Sequence, residues 1–105
     1  MSHLANTPKP PYYAVIFTSV RTHIDDGYGQ TASRMLTLAE QQPGYLGAES
    51  AREDVGITVS YWADLASIKH WKANIEHQQA QKLGKKQWYS AFKVRISKVE
   101  RDYEF

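Results

Sequence analysis

The segment HWKANIEHQQAQ, residues 70–81, collects uncharged side chains that can form hydrogen bonds. On a helical wheel of about 100° per residue, His70, Asn74, His77 and Gln81 fall within about 60° of one another. A solvated helix face carries lysine and glutamate more often than histidine and amide side chains. A stripe of this kind therefore predicts the wall of a small-molecule site, where a few polar groups are set in a mostly apolar surface.

Apolar side chains flank the polar stripe on both sides. Ile68, Trp71 and Ile75 form a predicted core stripe, and small alanine side chains on the far side leave space for a ligand. A plainer interpretation stays open, in which the polar residues lie at the boundary of the core and Trp71 is a core residue. His70 and His77 are two helical turns apart, too far to share a metal ion on a straight helix, so no metal site is predicted.

The composition limits the classes of protein to which the chain can belong. Its 105 residues suit one domain, and a net charge of +2 argues against a nucleic-acid partner, which requires a concentrated basic face. The absence of cysteine excludes disulfides, thiolate catalysis and Cys-ligated metals. No apolar run approaches the ~20 residues of a membrane span, and the N-terminus lacks the apolar core of a signal peptide. We therefore expect a cytoplasmic protein without membrane contact.

The elements that must position the stripe follow from periodicity and turn residues. After a flexible leader over residues 1–11, one domain is predicted for residues 12–105. Its elements are a strand over 12–21, a helix over 28–41, two strands over 45–54 and 56–62 joined by a turn around Asp54–Gly56, a helix from about Asp64 to Leu83, and a strand from 87 onwards. Asp64 is a candidate N-cap and Gly84 a candidate stop.

The order β-α-β-β-α-β predicts an α+β, ferredoxin-like fold, with an antiparallel four-stranded sheet and two helices on one face. In the last strand, Trp88 and Phe92 fall on one predicted face, and Tyr89 and Ala91 fall on the other. Because two helices cover only one face of such a sheet, the other face is expected to need a partner.

Three sequence patterns resemble the antibiotic biosynthesis monooxygenase superfamily over residues 12–103. They are GYLGAES leading into ITVSYW, the W-K-x-N-x-E-H pattern at 71–77, and AQKLGKKQWY, which is similar to a bacterial subgroup without an assigned reaction. The resemblance implies a homodimeric α/β barrel, in which two sheets meet through their bare faces. It also implies that each subunit keeps its own pocket between helices and sheet.

The resemblance further implies a cofactor-independent monooxygenase that acts on a small aromatic or quinol-type substrate with O2. In such an enzyme His77 is the candidate base, and Asn74 is the candidate donor to an oxyanion. No cofactor is expected. The expected substrate-binding residues are Trp71, Trp62, His70, Gln81, Trp88 and Phe17.

Two alternatives stay open at the level of sequence. One is a dimer that binds a small molecule without catalysis. The other is a haem-degrading monooxygenase, which in this superfamily places a haem-ligating histidine ten residues after the second-helix tryptophan. Counting ten residues from Trp71 reaches Gln81, and the first strand, YYAVIFTSVR, lacks the asparagine of that branch. Both departures disfavour haem binding.

Overall fold

The structure, a computed structural model, describes residues 4–105 apart from the side chain of Ile75. Its elements are, in chain order, β1 (Tyr12–Arg21), α1 (Tyr28–Glu40), β2 (Tyr45–Arg52), β3 (Val55–Trp62), α2 (Leu65–Ala73), α3 (Ile75–Leu83), a π-helical turn (Gly84–Trp88) and β4 (Tyr89–Val99). The strands form one antiparallel sheet in the order β2-β3-β1-β4. This arrangement confirms the predicted ferredoxin-like α+β fold. Within the described part, no helix is both long and apolar enough to cross a membrane.

Cross-strand pairing assigns each strand residue to one of two faces, because directly opposed residues point to the same side of a sheet. Trp62 lies opposite Tyr13 and stacks on Trp71 of α2, so these strand residues mark the helix side. Ile57 and Thr18 oppose each other on the outer side. The division into a helix side and an outer side decides which strand residues can meet a ligand between sheet and helices.

The outer side of the sheet carries exposed apolar side chains. Val20, Val55 and Ile57 are 40%, 48% and 45% exposed. They lie close together, since Val20 pairs with Val55 and Thr18 pairs with Ile57 across β1 and β3. A contiguous apolar patch on a sheet face is typical of a surface that meets a partner.

The predicted continuous helix from Asp64 to Leu83 is wrong, because the chain leaves helical geometry at Asn74. This residue has φ −60° and ψ 131°, and its side-chain oxygen accepts a hydrogen bond of 3.2 Å from the backbone N–H of His77. Asparagine competes in this way with the backbone ladder and starts a new helix as an N-cap. The break means that one helical wheel cannot describe residues 70–81.

The outer ends of this helical region agree better with the sequence. The predicted N-cap is confirmed, since the Asp64 carboxylate accepts a hydrogen bond of 2.7 Å from the Ser67 N–H. Gly84 follows the last residue of α3, but it is not a stop, because the chain continues into a π-helical turn. Gly84 is buried, and the ring of Tyr89 would meet a Cβ there at 2.9 Å.

The predicted alternation of the last strand is wrong at its start. Trp88 belongs to the π-helical turn, and the register between β1 and β4 shifts at Ser90. This bulge turns Tyr89 to the helix side, where its ring lies 5.4 Å from that of Phe17 and 6.0 Å from that of Phe92. An extra residue in one strand reverses the alternation of side chains between the two faces of the sheet for the residues before it.

The predicted turn around Asp54–Gly56 is shorter in the structure. β2 ends at Arg52 and β3 begins at Val55, so two residues connect the strands. Gly56 is a buried residue of β3 that lies opposite Arg52 on one neighbouring strand and opposite Ser19 on the other.

The described part of the N-terminal leader contacts the sheet. The Ala5 N–H donates to one carboxylate oxygen of Glu49 at 2.8 Å, and the hydroxyl of Tyr61 donates to the other at 2.6 Å. Near them, the Tyr12 hydroxyl donates to the carboxylate of Asp102 at 2.5 Å. Leader and C-terminal tail thus lie at the same end of the outer side. The flexibility of the leader stays a prediction.

Replacing Gly44 should destabilise the fold, because this residue has φ +84° and lies under the start of α2. A Cβ there would come within 2.1 Å of the Ser67 hydroxyl oxygen. We expect Gly44→Ala to lower the free energy of unfolding by at least about 2 kcal/mol, from left-handed backbone strain and overpacking. Urea denaturation followed by tryptophan fluorescence measures it.

Gly29→Ala is the matched control, because a Cβ at Gly29 in α1 would meet no atom within 4 Å. It should leave the free energy of unfolding unchanged or raise it by up to about 1 kcal/mol through helix propensity. Equal losses in the two variants would contradict the assignment of Gly44 as a contact point between sheet and α2.

Candidate functional site

The helices leave a row of side chains uncovered on the helix side of the sheet. The row crosses all four strands through directly opposed residues: Ser50, Thr58, Phe17 and Val94. Three of them are exposed and Phe17 is half-buried. We call this row, together with the exposed Ile96 of β4, the floor. Three of its five side chains are apolar, and Ser50 and Thr58 add hydroxyl groups.

A stack of three aromatic rings connects the sheet to α3. Trp62 is fully buried, and its ring centroid lies 6.1 Å from that of Trp71, with the two planes 26° apart. The Trp71 ring in turn lies 4.3 Å from the imidazole of His77, at 12°. These contacts fix the imidazole against the helix side of the molecule, since a parallel stack leaves its ring little freedom to tilt.

The hydrogen bonds of His77 define which of its ring nitrogens can accept a proton. Nδ1 lies 3.0 Å from the carbonyl oxygen of Trp71, and a carbonyl oxygen only accepts. In the neutral ring Nδ1 therefore carries the proton, and this N–H donates a hydrogen bond to the Trp71 carbonyl oxygen. Nε2 keeps a lone pair and has no hydrogen-bond partner among the described residues. The arrangement suits a general base.

Burial supports the neutral form of this ring. The pKa of His77 is lowered, chiefly because burial disfavours the charged imidazolium, and the nearby charge of Lys72 acts in the same direction. The bond to the Trp71 carbonyl works against this and raises the pKa, but it is the smaller effect. The lowered pKa favours the neutral imidazole, in which Nε2 has the free lone pair.

Asn74 is half-buried and joins α2 to α3. Its Oδ1 is occupied by the N–H of His77, so its side-chain NH2 is the part that remains able to donate to a ligand. The same side chain thus sets the start of the helix that carries His77. A change at Asn74 would move the imidazole as well as remove a donor.

The other members of the predicted stripe lie elsewhere. His70 is exposed and borders an open depression of about 410 Å³, together with Ala73, Asn74 and Glu76. Gln81 is half-buried on α3. The break at Asn74 separates His70 from the stacked imidazole, so the structure does not place these two histidines on one surface.

Two predicted substrate-binding tryptophans lie in the core. Trp62 is fully buried, and Trp88 is 4% exposed. Their indole N–H groups donate to Ser60 Oγ at 2.9 Å and to the Asp26 carbonyl at 3.0 Å. Both are therefore core residues, whereas the predicted residues Trp71 and Phe17 are only half-buried.

A second polar cluster borders the floor at the opposite end from Trp62. The Tyr89 hydroxyl donates to that of Tyr28 at 3.3 Å, and the guanidinium of Arg21 lies 3.4 Å from the centre of the Tyr28 ring. Burial raises the pKa of Tyr89, and the bond to Tyr28 raises it further. Sequence reasoning missed this cluster, since nothing in the local sequence signals the bulge at Ser90.

One ion pair holds the helix that carries His77 against α1. Arg34 of α1 donates two hydrogen bonds to Glu76, from Nε at 3.0 Å and from Nη2 at 2.9 Å. Both side chains are about half exposed, so solvent screens the pair and it contributes little stability. Its forked geometry nevertheless fixes the position of α3 over the sheet.

Comparison with known proteins identifies the family. The family model described as antibiotic biosynthesis monooxygenase matches residues 11–83. The chain belongs to the antibiotic biosynthesis monooxygenase family. A relative in this family is the uncharacterised protein YqjZ of Bacillus subtilis (strain 168), which is 52% identical over an alignment of 107 residues that covers 100% of this chain and 94% of that protein.

Solved structures share the fold of this antibiotic biosynthesis monooxygenase family member. SnoaB, a cofactor-independent oxygenase from Streptomyces nogalater, superposes with a TM-score of 0.75 at 10% identity, covering 89% of this chain and 97% of its own. Protein SO0527 from Shewanella oneidensis gives a TM-score of 0.74 at 10% identity, covering 85% and 91%. At such low identity the likeness concerns the fold.

In this family member, the imidazole of His77 should titrate below the ordinary histidine pKa of about 6.5 and should carry its neutral-form proton on Nδ1. Burial and the Trp71 carbonyl are the physical causes. Long-range proton–nitrogen NMR spectra, recorded as a function of pH and assigned with a His77→Phe variant, measure both properties. A neutral ring protonated on Nε2 would contradict the proposed orientation.

The same lowered pKa makes stability depend on pH. Because the unfolded chain binds a proton at His77 more readily than the folded chain, unfolding becomes easier as pH falls from about 6.5 towards the folded pKa. The part of the pH dependence of the free energy of unfolding that is due to His77 should be absent in His77→Phe.

Proposed function

We propose that this protein is a cofactor-independent monooxygenase that oxidises a small aromatic or quinol-type substrate bound on the floor. The observation that carries the proposal is the imidazole of His77, which stacks on Trp71 and keeps Nε2 free while Nδ1 bonds to the Trp71 carbonyl. The family and the fold likeness to SnoaB, described as a cofactor-independent oxygenase, agree with it. The uncovered floor, with Phe17, Val94 and Ile96, adds an exposed surface that suits a flat aromatic ligand.

The chemistry requires a base, a dry surface and O2. Nε2 of His77 takes the acidic proton of the substrate, a phenol or the enol form of a cyclic ketone, and leaves an electron-rich anion. This anion transfers electrons to O2. One oxygen atom forms a carbonyl at the substrate carbon and the other leaves as water, so that a CH2 group and O2 give C=O and H2O. The substrate supplies all four electrons.

Protein groups act on the charge that develops during this reaction. The free NH2 of Asn74 would donate to the substrate oxygen and stabilise the anion, as donors in an oxyanion hole do. Trp71 and Phe17 would hold the flat ring system, and exclusion of water would strengthen each polar contact. The backbone N–H of His77 donates to the side-chain oxygen of Asn74, so base and donor move together.

We also propose that the protein acts as a homodimer joined through the outer side of its sheet. The exposed apolar residues Val20, Val55 and Ile57 support this arrangement. Burial of such a patch stabilises a small domain at roughly 25 cal/mol per Å² of apolar surface. The helix side would then stay free for a ligand in each subunit.

His77→Phe should lower turnover of an aromatic probe by about 10²–10⁴-fold, the usual contribution of a general base. Phenylalanine keeps an aromatic ring on Trp71 and removes both ring nitrogens, together with the bond of Nδ1 to the Trp71 carbonyl. The probe is 9-anthrone, whose enol is a phenol, and its conversion to anthraquinone is followed by absorbance and oxygen uptake. His23→Phe is the matched control and should keep wild-type turnover, because His23 is exposed in the connection between β1 and α1, away from Asn74 and His77.

Two results would count against the proposed function. Equal turnover by wild type and His77→Phe would remove the imidazole from the mechanism. Saturable binding of anthrone without any oxygen uptake by wild type would indicate a non-catalytic binding protein. Denaturation curves of both variants ensure that loss of activity is not loss of the fold.

Light scattering at micromolar concentration should give twice the mass of one chain. Ile57→Lys, which places a charge in the outer patch, should shift this mass towards a monomer. Thr58→Lys adds the same charge one residue further on, on the helix side, and should leave the dimer intact. A wild-type monomer under these conditions would rule out the dimer.

A further inference from the structure

Arg52 lies along the helix side of the sheet and extends from β2 across β3. Its guanidinium passes over Gly56 on β3 and reaches β1, where Nη2 donates to the Ser19 hydroxyl and Nη1 donates to the Ser19 carbonyl oxygen at 3.4 Å. Ser19 is 1% exposed, so a buried polar side chain anchors the arginine. The position of the charge is therefore built into the sheet.

Glycine at position 56 makes this path possible. A Cβ there would lie 2.1 Å from the central guanidinium carbon of Arg52, and its three nearest atoms all belong to that side chain. Gly56 is thus the gap through which the arginine crosses β3. Any larger residue would push the guanidinium away from Ser19.

The charge of Arg52 is not neutralised by the described part of the protein. The two ion pairs found there join Arg21 to Asp25 and Arg34 to Glu76, and neither involves Arg52. Its hydrogen-bond partners are a neutral hydroxyl and a carbonyl. Arg52 remains exposed, so some of its five N–H donors stay available to a ligand.

Two aromatic residues lie next to Ser19, the anchor of this charge, on the helix side of the sheet. Ser19 lies directly opposite Phe92 on β4, and Phe17 of the floor is two residues away on the same side of β1. The charge of Arg52 also acts on the Tyr89 hydroxyl, whose pKa it lowers against the larger effect of burial. A cation beside aromatic rings matches a flat ligand that carries a negative group at one end.

We propose that Arg52 binds the acidic group of an aromatic carboxylic acid whose ring lies on the floor. The inference rests on the proposed function only in that the same floor holds the ligand. It assigns the ligand an orientation, with the carboxylate at Arg52 and the ring system extending towards the stack of Trp62, Trp71 and His77. Ser19 and Gly56 are positioning residues that keep the guanidinium in place.

The test compares two probes that differ in charge. They are 1-hydroxy-2-naphthoate and its neutral amide, 1-hydroxy-2-naphthamide, and their dissociation constants are measured by calorimetry with the full-length protein. Arg52 is exposed, so solvent weakens its pairing with a carboxylate, and the naphthoate should bind the wild type about threefold more tightly than the amide. Added salt should reduce this ratio.

Three variants distinguish an effect of the Arg52 guanidinium from an effect of the net charge of the protein. Arg52→Gln should abolish the preference for the naphthoate. Gly56→Ala keeps the charge but displaces the guanidinium, and should reduce the preference as well. Arg101→Gln removes an equal charge from an exposed residue beyond β4 and should leave the preference unchanged.

The inference is overturned if the naphthoate fails to bind, if both probes bind wild type equally, or if Arg52→Gln keeps the wild-type ratio. These results are distinguishable from failure of the proposed function, which is measured by oxygen uptake with the uncharged anthrone. Turnover of anthrone together with an unchanged probe ratio in Arg52→Gln would leave the oxygenase proposal standing and remove this one.

Discussion

The contact between the indole of Trp62 and that of Trp71 holds the site together. Trp62 is the largest fully buried side chain of the described core, and its N–H is satisfied within its own strand by Ser60. Tyr45 meets the Trp62 ring edge-on, and Trp71 stacks on it. His77 stacks on Trp71 in turn. The orientation of the imidazole therefore depends on Trp62, a residue of the sheet. Packing and chemistry are therefore coupled at this point.

The strands were predictable because their signal is local. β1 is a run of β-branched and aromatic residues, and its predicted bounds, 12–21, are those observed. The ferredoxin-like order followed from the sequence of elements alone. The two irregularities that shape the site were not predictable in this way. Asn74 ends one helix and starts another, and an asparagine within a helical pattern does not by itself reveal whether its side chain will cap.

The bulge at Ser90 is the second irregularity, and its cause lies in pairing. Whether Tyr89 faces the helices depends on its register with β1, which a single strand does not specify. For the same reason the hydrogen bonds of Arg52 to Ser19 could not be predicted from the sequence. The hint in the sequence is Ser19, a polar residue inside an apolar strand, but its partner is 33 positions away and reaches it across a third strand.

The two ends of the described chain meet at one phenol. The Thr7 hydroxyl donates to the Tyr12 hydroxyl at 3.0 Å, and that hydroxyl donates to Asp102. The backbone is thus nearly a closed ring in space, although it is open in sequence. A short peptide joining the ends would cost little loop-closure entropy, and the exposed connection between β2 and β3 offers a place for new ends. We therefore expect a chain that starts and ends at this connection to form the same sheet, although its strands are synthesised in another order.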